Sequence, residues 1–274
     1  MKPPHNVADL ERLLRQLGGS DENGYKLRCV MADVVAGQFL SGAVLRGGSA
    51  LKLRYGNATT RFTVDFDVAR SVDELSFLDA FNERLANGWG GFSGRLVMES
   101  KATPKNVPNE YVMQPYTLKL TYARHPWCSV AVEASYNEIG DADDYELIAP
   151  PADIMELFQK LNLPEPGSIP VMSIAYQFAQ KIHGATDPAN SRAQDIIDLR
   201  LMMDREVADT SRIRQICERL FANRKRQPWP SFVTANDALK EKYEYMSSGM
   251  PAKGDFNSAV SLVNDLIRKI AESR

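Results

Sequence analysis

The sequence is short of the features that would place it in a secreted, zinc-stabilised or membrane-spanning class. Cysteine occurs three times in 274 residues, and Cys29, Cys128 and Cys217 lie far apart. Their odd number and wide spacing suggest neither a disulfide framework nor a zinc knuckle. No apolar run approaches the length of a membrane span. The opening "MKPPHNVADLERLLRQL" is a polar lead into an amphipathic helix, not a signal peptide. Internal repeats and long low-complexity segments are missing as well. The formal net charge is only −2, from 33 basic and 35 acidic side chains, and by itself says little about partners. What is left is the composition of an ordinary globular protein, 44% hydrophobic and 25% charged. The expectation is a cytoplasmic protein with no membrane partner and one large domain or two modest ones.

Charge is distributed more tellingly than it is summed. Residues 131–160 hold eight acidic side chains and one basic, whereas residues 212–226, "RIRQICERLFANRKR", hold six basic and one acidic. Such a basic stretch either faces nucleic acid or is a solvated helix face. Apolar spacing predicts helices at 7–17 and 26–40, a short strand before "RGG", and a helix starting at Ser49 as its N-cap. A strand at 61–69 and a helix at 74–87 follow. Residues 92–100, 111–123 and 127–135 read as strands. Past two turn-rich stretches the pattern becomes helical, at 153–161, 171–185, 191–207, 209–224 and 255–272. The proline-rich "LNLPEPGSIP" marks a seam, so the expected domains are residues 1–165, mixed α/β, and 166–274, helical.

The chemistry concentrates in "RFTVDFDV". Along a strand, residues i and i+2 share a face, so Asp65 and Asp67 stand together while Phe66 turns away. Two neighbouring carboxylates repel unless a cation lies between them, and Mg²⁺ takes one or two carboxylates plus substrate phosphates. A third carboxylate on an adjacent strand would complete a two-metal clamp. Glu133, alternating out of an apolar strand, is the candidate. The bland reading is an aspartate pair on the wet face of an edge strand. Upstream, Gly47 and Gly48 permit close backbone approach to a ligand, and a helix opening at Ser49 offers N–H groups to a phosphate. Lys52 could reach the same anion. The bland reading here is a glycine turn capping a helix. Asp65 follows Ser49 by sixteen positions, and the order turn, helix, turn, acidic strand is rarer than any of its parts.

That order resembles the nucleotidyltransferase superfamily with the polymerase-β-like core, and "VLRGGSALKLRYG" followed by "RFTVDFDV" is similar to the AbiEii/AbiGii toxin family. "AYQFAQKIHGATDPANSRAQDIIDLRLM" resembles the family's second signature, in which Lys181 matches a lysine, Arg192 an arginine, and Asp195 and Asp198 an acidic pair. Gln194 stands where the family pattern often has a basic residue. The resemblance implies an α+β fold: a nucleotidyltransferase core with a mixed sheet, followed by a helical domain. It implies an enzyme that moves a nucleoside monophosphate from a nucleoside triphosphate (NTP) to an acceptor. Asp65, Asp67, Lys181 and Asp198 would be catalytic, with Mg²⁺ on Asp65, Asp67 and Glu133. Gly47, Gly48, Ser49, Lys52, Lys181 and Asp195 would bind the nucleotide. Arg192, Arg224, Lys225 and Arg226 would contact RNA. The implied acceptor is a tRNA 3′ end, blocked so that translation stops, and the implied partner is a cognate antitoxin from a neighbouring gene, in a phage-defence or toxin–antitoxin setting. Nucleotidylation of a protein side chain, and a non-catalytic nucleotide- or RNA-binding module, stay open beside it. Asp195 could equally cap a helix, and Lys181 could snorkel. His183 reads as structural, Tyr176 and Phe178 as core, and Arg46 and Arg61 as phosphate ligands or partners of nearby acids.

Overall fold

The computed structural model describes residues 2–100, 113–188, 192–248, 250 and 254–273. The chain forms two compact units, Met1–Ala58 with Phe62–Met172, and Thr59–Arg61 with Ser173–Arg274. The first unit opens with helices α1 (Val7–Gly18) and α2 (Asp21–Phe39). Asn6 caps α1 and Ser20 caps α2, each side chain accepting a hydrogen bond from an N–H of the first turn. The Ser20 cap and the acidic Asp21 and Glu22 carry α2 five residues earlier than its apolar spacing begins. Then come β1 (Ala43–Leu45), α3 (Gly47–Tyr55), β2 (Asp65–Arg70), α4 (Glu74–Asn87) and β3 (Phe92–Met98). The unit continues with β4 (Gln114–Tyr122), β5 (His125–Ser135), β6 (Tyr145–Ile148), α5 (Ala152–Lys160) and β7 (Ile169–Met172). Residues 111 and 112, the start of one expected strand, lie outside the described residues.

The seven strands make one mixed sheet in the order β3-β4-β5-β2-β1-β7-β6. The pairs β2–β5 and β1–β7 are parallel and the other four antiparallel. β2 therefore lies centrally, between β1 and β5, with Phe66 and Val68 fully buried. It begins at Asp65, not at residue 61 as expected, because the carbonyl of Thr63 is taken by a lysine side chain and not by a neighbouring strand. β6 and β7 were not foreseen: one lies just past an acidic turn, and the other starts in the proline-rich seam and takes residues 171 and 172 from the helix expected at 171–185. Because residues 169–172 are a strand of this sheet, residues 166–172 fall with the first unit.

The second unit is helical: α6 (Ile174–Ala185), α7 (Ala193–Arg205), α8 (Thr210–Arg224), α9 (Asp237–Ser247) and α10 (Phe256–Glu272). α10 shows why it holds together. Phe256, Ala259, Val260, Val263, Leu266, Ile267 and Ile270 are buried at helical spacing along one stripe. Each large aliphatic side chain among them contributes about 1.5–3 kcal/mol by burial. α9, with Leu239, Tyr243 and Ser247 buried at four-residue intervals, is a helix that the sequence pattern did not announce.

Candidate active site

Register builds the acidic face. β2 and β5 run parallel, with Asp65 opposite Ala131 and Asp67 opposite Glu133. Side chains in register on neighbouring strands project to the same side, and strands lie about 4.8 Å apart. Asp65, Asp67 and Glu133 therefore share one face, and Phe66 and Val68 fill the core on the other. The electrostatics agree. The Glu133 carboxyl titrates above its ordinary value of 4.5, first because it is partly desolvated, then because Asp67 and Asp65 repel its charged form. Arg46 pulls in the other direction. Its guanidinium donates to Ser135 Oγ at 3.0 Å, and its backbone N–H donates to the Asp67 carbonyl at 2.9 Å.

α3 begins beside this face. Its N-cap is Arg46, without a side-chain capping bond, not Ser49 as the sequence suggested. Gly47 takes a left-handed φ of 68°, and a Cβ there would meet Asp67 Oδ2 at 2.5 Å. Only glycine meets both demands, so the turn and the acidic strand are fitted to each other. The N–H groups of the first turn have no partner within the helix, as at any helix start.

Two residues assigned to the nucleotide by sequence point inward instead. Lys52 is 1% exposed, with Nζ 3.2 Å from Asp33 Oδ2 and 3.2 Å from the Thr63 carbonyl. Its ammonium is committed to these partners and does not project toward a ligand. Ser49 is fully buried, with Oγ 2.7 Å from the Asp65 carbonyl and 3.1 Å from Asp33 Oδ2. Its hydroxyl is thus committed to the strand and to Asp33. Asp33 went unnoticed in the sequence. The signal was a lone acid inside the apolar run "CVMADVVAGQF", on a stretch of α2 whose neighbours are all buried.

In the second unit the other motif closes into an ion network. Lys181 Nζ lies 2.9 Å from Asp195 Oδ1 and 2.7 Å from Asp198 Oδ2. Arg61 grips Asp198 with two parallel bonds of 3.0 Å, through Nε and Nη2. Arg192 Nε lies 2.7 Å from Asp195 Oδ2. Gly184 makes room: a Cβ there would come within 2.1 Å of Asp195 Oδ2. Burial works against the charges, but the partners prevail. Lys181 titrates above its ordinary value because Asp195 and Asp198 outweigh its desolvation, and Asp198 titrates below its ordinary value because Lys181 and Arg61 outweigh its own. Asp195 is thus an ion-pair partner within the first turn of α7, and Arg61 pairs with an acid. Residues 189–191 of this motif lie outside the described residues.

The basic stretch is less open than its composition suggests. Arg226 Nε pairs with Asp187 at 2.9 Å, and Arg214 Nε with Glu218 at 2.8 Å. Arg224 is half-buried, its Nη1 3.4 Å from His183 Nδ1, and His183 itself is buried with its ring edge-on to Phe221. Lys225 is exposed and ends α8 in the left-handed conformation.

Among the described residues, no three His, Cys, Asp or Glu side chains are already arranged to hold a metal ion. The donor set on β2 and β5 nevertheless suits a hard divalent cation: three carboxylates held by backbone register, two of which raise the proton affinity of the third. Asp65, Asp67 and Glu133 are the residues that could hold one. No helix among the described residues is long and apolar enough to cross a membrane.

Comparison with known proteins bears on what such a site does. Residues 29–264 match the family model described as nucleotidyl transferase AbiEii toxin, type IV toxin–antitoxin system. No curated protein matches the sequence. In structure, the chain is similar to MenT4, a nucleotidyltransferase toxin from Mycobacterium tuberculosis, with a TM-score of 0.60 at 17% identity over 96% of this chain and 90% of that one. JHP933 from Helicobacter pylori matches with a TM-score of 0.45 at 14% identity, covering 89% of each chain. A putative nucleotidyltransferase from the same organism gives 0.46 at 14% identity, over 90% of this chain and 93% of that one. The family model spans most of the chain and the fold agrees with it: this chain belongs to the AbiEii family and is a nucleotidyltransferase toxin of a type IV toxin–antitoxin system.

Proposed function

We propose that this toxin transfers a nucleoside monophosphate from an NTP to the 3′ end of tRNA and so blocks translation, with Mg²⁺ held by Asp65, Asp67 and Glu133. The observation that carries the reading is the in-register triplet of carboxylates beside the Gly47 turn. When bound, the divalent cations supply charge neutralisation for the triphosphate and orientation for the attacking oxygen. The protein contributes position. The Gly47–Gly48 backbone and the first turn of α3 meet the phosphates with N–H groups and the positive end of the helix dipole. The acceptor hydroxyl gives up its proton to solvent as its oxygen bonds to the α-phosphorus, that phosphorus parts from the oxygen bridging to the β-phosphate, and pyrophosphate leaves. Little covalent chemistry is asked of the side chains, and no histidine or cysteine nucleophile is required.

Lys181, Asp195 and Asp198 are assigned to the nucleotide on the strength of the second motif, and Arg192, Arg224, Lys225 and Arg226 to the RNA backbone on charge. The family places a cognate antitoxin beside the toxin in its system. A neighbouring antitoxin gene, a cytoplasmic site of action and a role in abortive infection belong to this proposal. The test incubates the protein with each of four α-labelled NTPs in turn, with total RNA or cell extract, and then treats the products with RNase or protease. RNase-sensitive label at tRNA length is expected, lost with chelator, restored by Mg²⁺ and absent for Asp65→Ala. Protease-sensitive label overturns the tRNA acceptor, and no label from any nucleotide overturns the whole reading.

A further inference from the structure

Asp33, Ser49 and Lys52 tie three elements of the first unit into one buried set. Asp33 Oδ2, on α2, is the shared acceptor, 3.1 Å from Ser49 Oγ and 3.2 Å from Lys52 Nζ. The other bonds of those two α3 side chains run to the backbone that leads into β2. Lys52 Nζ donates to the Thr63 carbonyl, and Ser49 Oγ to the carbonyl of Asp65 itself, sharing its single proton between that oxygen and Asp33. The three residues are 2%, 0% and 1% exposed. Residues 62–64 are outside the strand ladder, and Phe62 and Val64 are partly exposed, so ladder pairing begins to hold this backbone only at Asp65.

We infer that Asp33 is a positioning residue for the acidic pair: by orienting Lys52 and Ser49 it fixes the carbonyls of Thr63 and Asp65, and so sets the carboxylate geometry offered to a divalent cation. The inference rests on the metal reading above and deepens it. Stability alone does not account for the arrangement. A buried ion pair is often no more stabilising than apolar side chains of the same volume. What apolar side chains cannot do is hold two chosen carbonyl oxygens two residues apart. At the other end of the pair, the Asp67 carbonyl is held by the Arg46 N–H, so the stretch carrying both acids is pinned from the α3 side at three backbone oxygens.

The test measures Mn²⁺ affinity by water-proton relaxation, without nucleotide, in the full chain. Removing one charge of the buried pair strands the other, so the informative variant is Asp33→Asn with Lys52→Met, which removes both. It should keep a cooperative melting transition yet bind Mn²⁺ about 10–100-fold more weakly, as expected when groups orienting metal ligands are lost. Ser49→Ala, which keeps the ion pair and deletes the bond to Asp65, should weaken binding in the same direction, and it decides the matter if the double variant does not fold. Wild-type affinity in the folded double variant, or in Ser49→Ala if only that variant folds, overturns the inference while leaving the metal site standing. A wild-type protein that binds no Mn²⁺ overturns the metal reading, and this inference with it.

Discussion

In the first unit, Asp65, Asp67 and Glu133 stand on neighbouring parallel strands, and the field of Arg46 only partly offsets the repulsion that Glu133 feels. In the second, Asp195 and Asp198 share Lys181, while Arg61 and Arg192 close the set. Each cluster is a group of carboxylates fixed by backbone geometry, yet one accumulates charge of a single sign and the other sets each carboxylate against two cations. Repulsion among anions costs folding free energy that carboxylates in contact with cations do not add. A face that keeps this cost is suited to receive cations, whereas the paired network, besides the role proposed for it above, holds its helices in place. Substitution should therefore read out differently in the two clusters: as lost transfer without lost stability in the first, as lost stability together with lost transfer in the second.

The largest expected effect is Asp67→Ala. Nucleotide transfer should fall about a thousandfold or more, equivalent to about 4 kcal/mol of transition-state stabilisation. The melting temperature measured in chelator should hold or rise, because a repelling charge has gone. A parallel collapse of melting temperature would break the contrast. Next in size is Asp198→Ala. It leaves Lys181 and Arg61 without their shared carboxylate in a buried setting, and chemical denaturation should show a loss of about 3–5 kcal/mol. An unchanged denaturation midpoint would mean that the network is not structural.

The two clusters also differ in how far the sequence disclosed them. Alternation along a strand was enough to put Asp65 and Asp67 on one face and to single out Glu133, since strand period is local information. Lys181, Asp195 and Asp198 were found because the lysine and the acidic pair resemble the family's second signature. What the sequence hid was the direction of the polar side chains on α3. Ser49 and Lys52 are three apart and share a helix face, but only the packing of α2 reveals that this face points inward to Asp33. A short polar helix carries no apolar stripe strong enough to say so. β7 was hidden for a similar reason. Prolines in residues 161–170 read locally as a seam, and the pairing that makes Ile169–Met172 a strand involves β1 and β6, which are distant in sequence.

Titration gives the contrast a sign. Glu133 titrates above its ordinary value, so in metal-free protein the native state binds its proton more tightly than the unfolded chain does. Its contribution to stability therefore falls as pH rises through that window, from 4.5 upward. Asp198 is the opposite case: its stabilisation is fully present above its ordinary value of 3.8 and is lost as pH falls below it. Melting curves in chelator should accordingly improve for Glu133→Gln relative to wild type as pH is raised from 4 toward 7. Asp198→Asn should approach wild type only as the medium becomes strongly acidic. Parallel pH profiles for the two variants would remove the electrostatic distinction. Added Mn²⁺ should raise the wild-type transition most at the upper end of this range, where Glu133 is ionised, and should raise that of Glu133→Gln less.

The smallest effect sharpens the comparison at the surface. Of the three basic residues 224–226, Arg226 already pairs with Asp187 and Arg224 lies half-buried against His183, while Lys225 is exposed at the end of α8. If this stretch touches an RNA backbone, Lys225 should account for most of what it contributes. Lys225→Gly is the clean probe, because the residue has a left-handed φ of 53° and glycine relieves that conformation while deleting the charge. Fluorescence anisotropy with labelled tRNA over a salt series should show a logarithmic slope shallower by about one, the signature of one lost phosphate contact. Replacing all three residues by Ala should add little to that change, since the two arginines have partners within the protein. Equal slopes for wild type and the triple variant would take this helix end out of the RNA-binding surface and leave its charges as internal pairing.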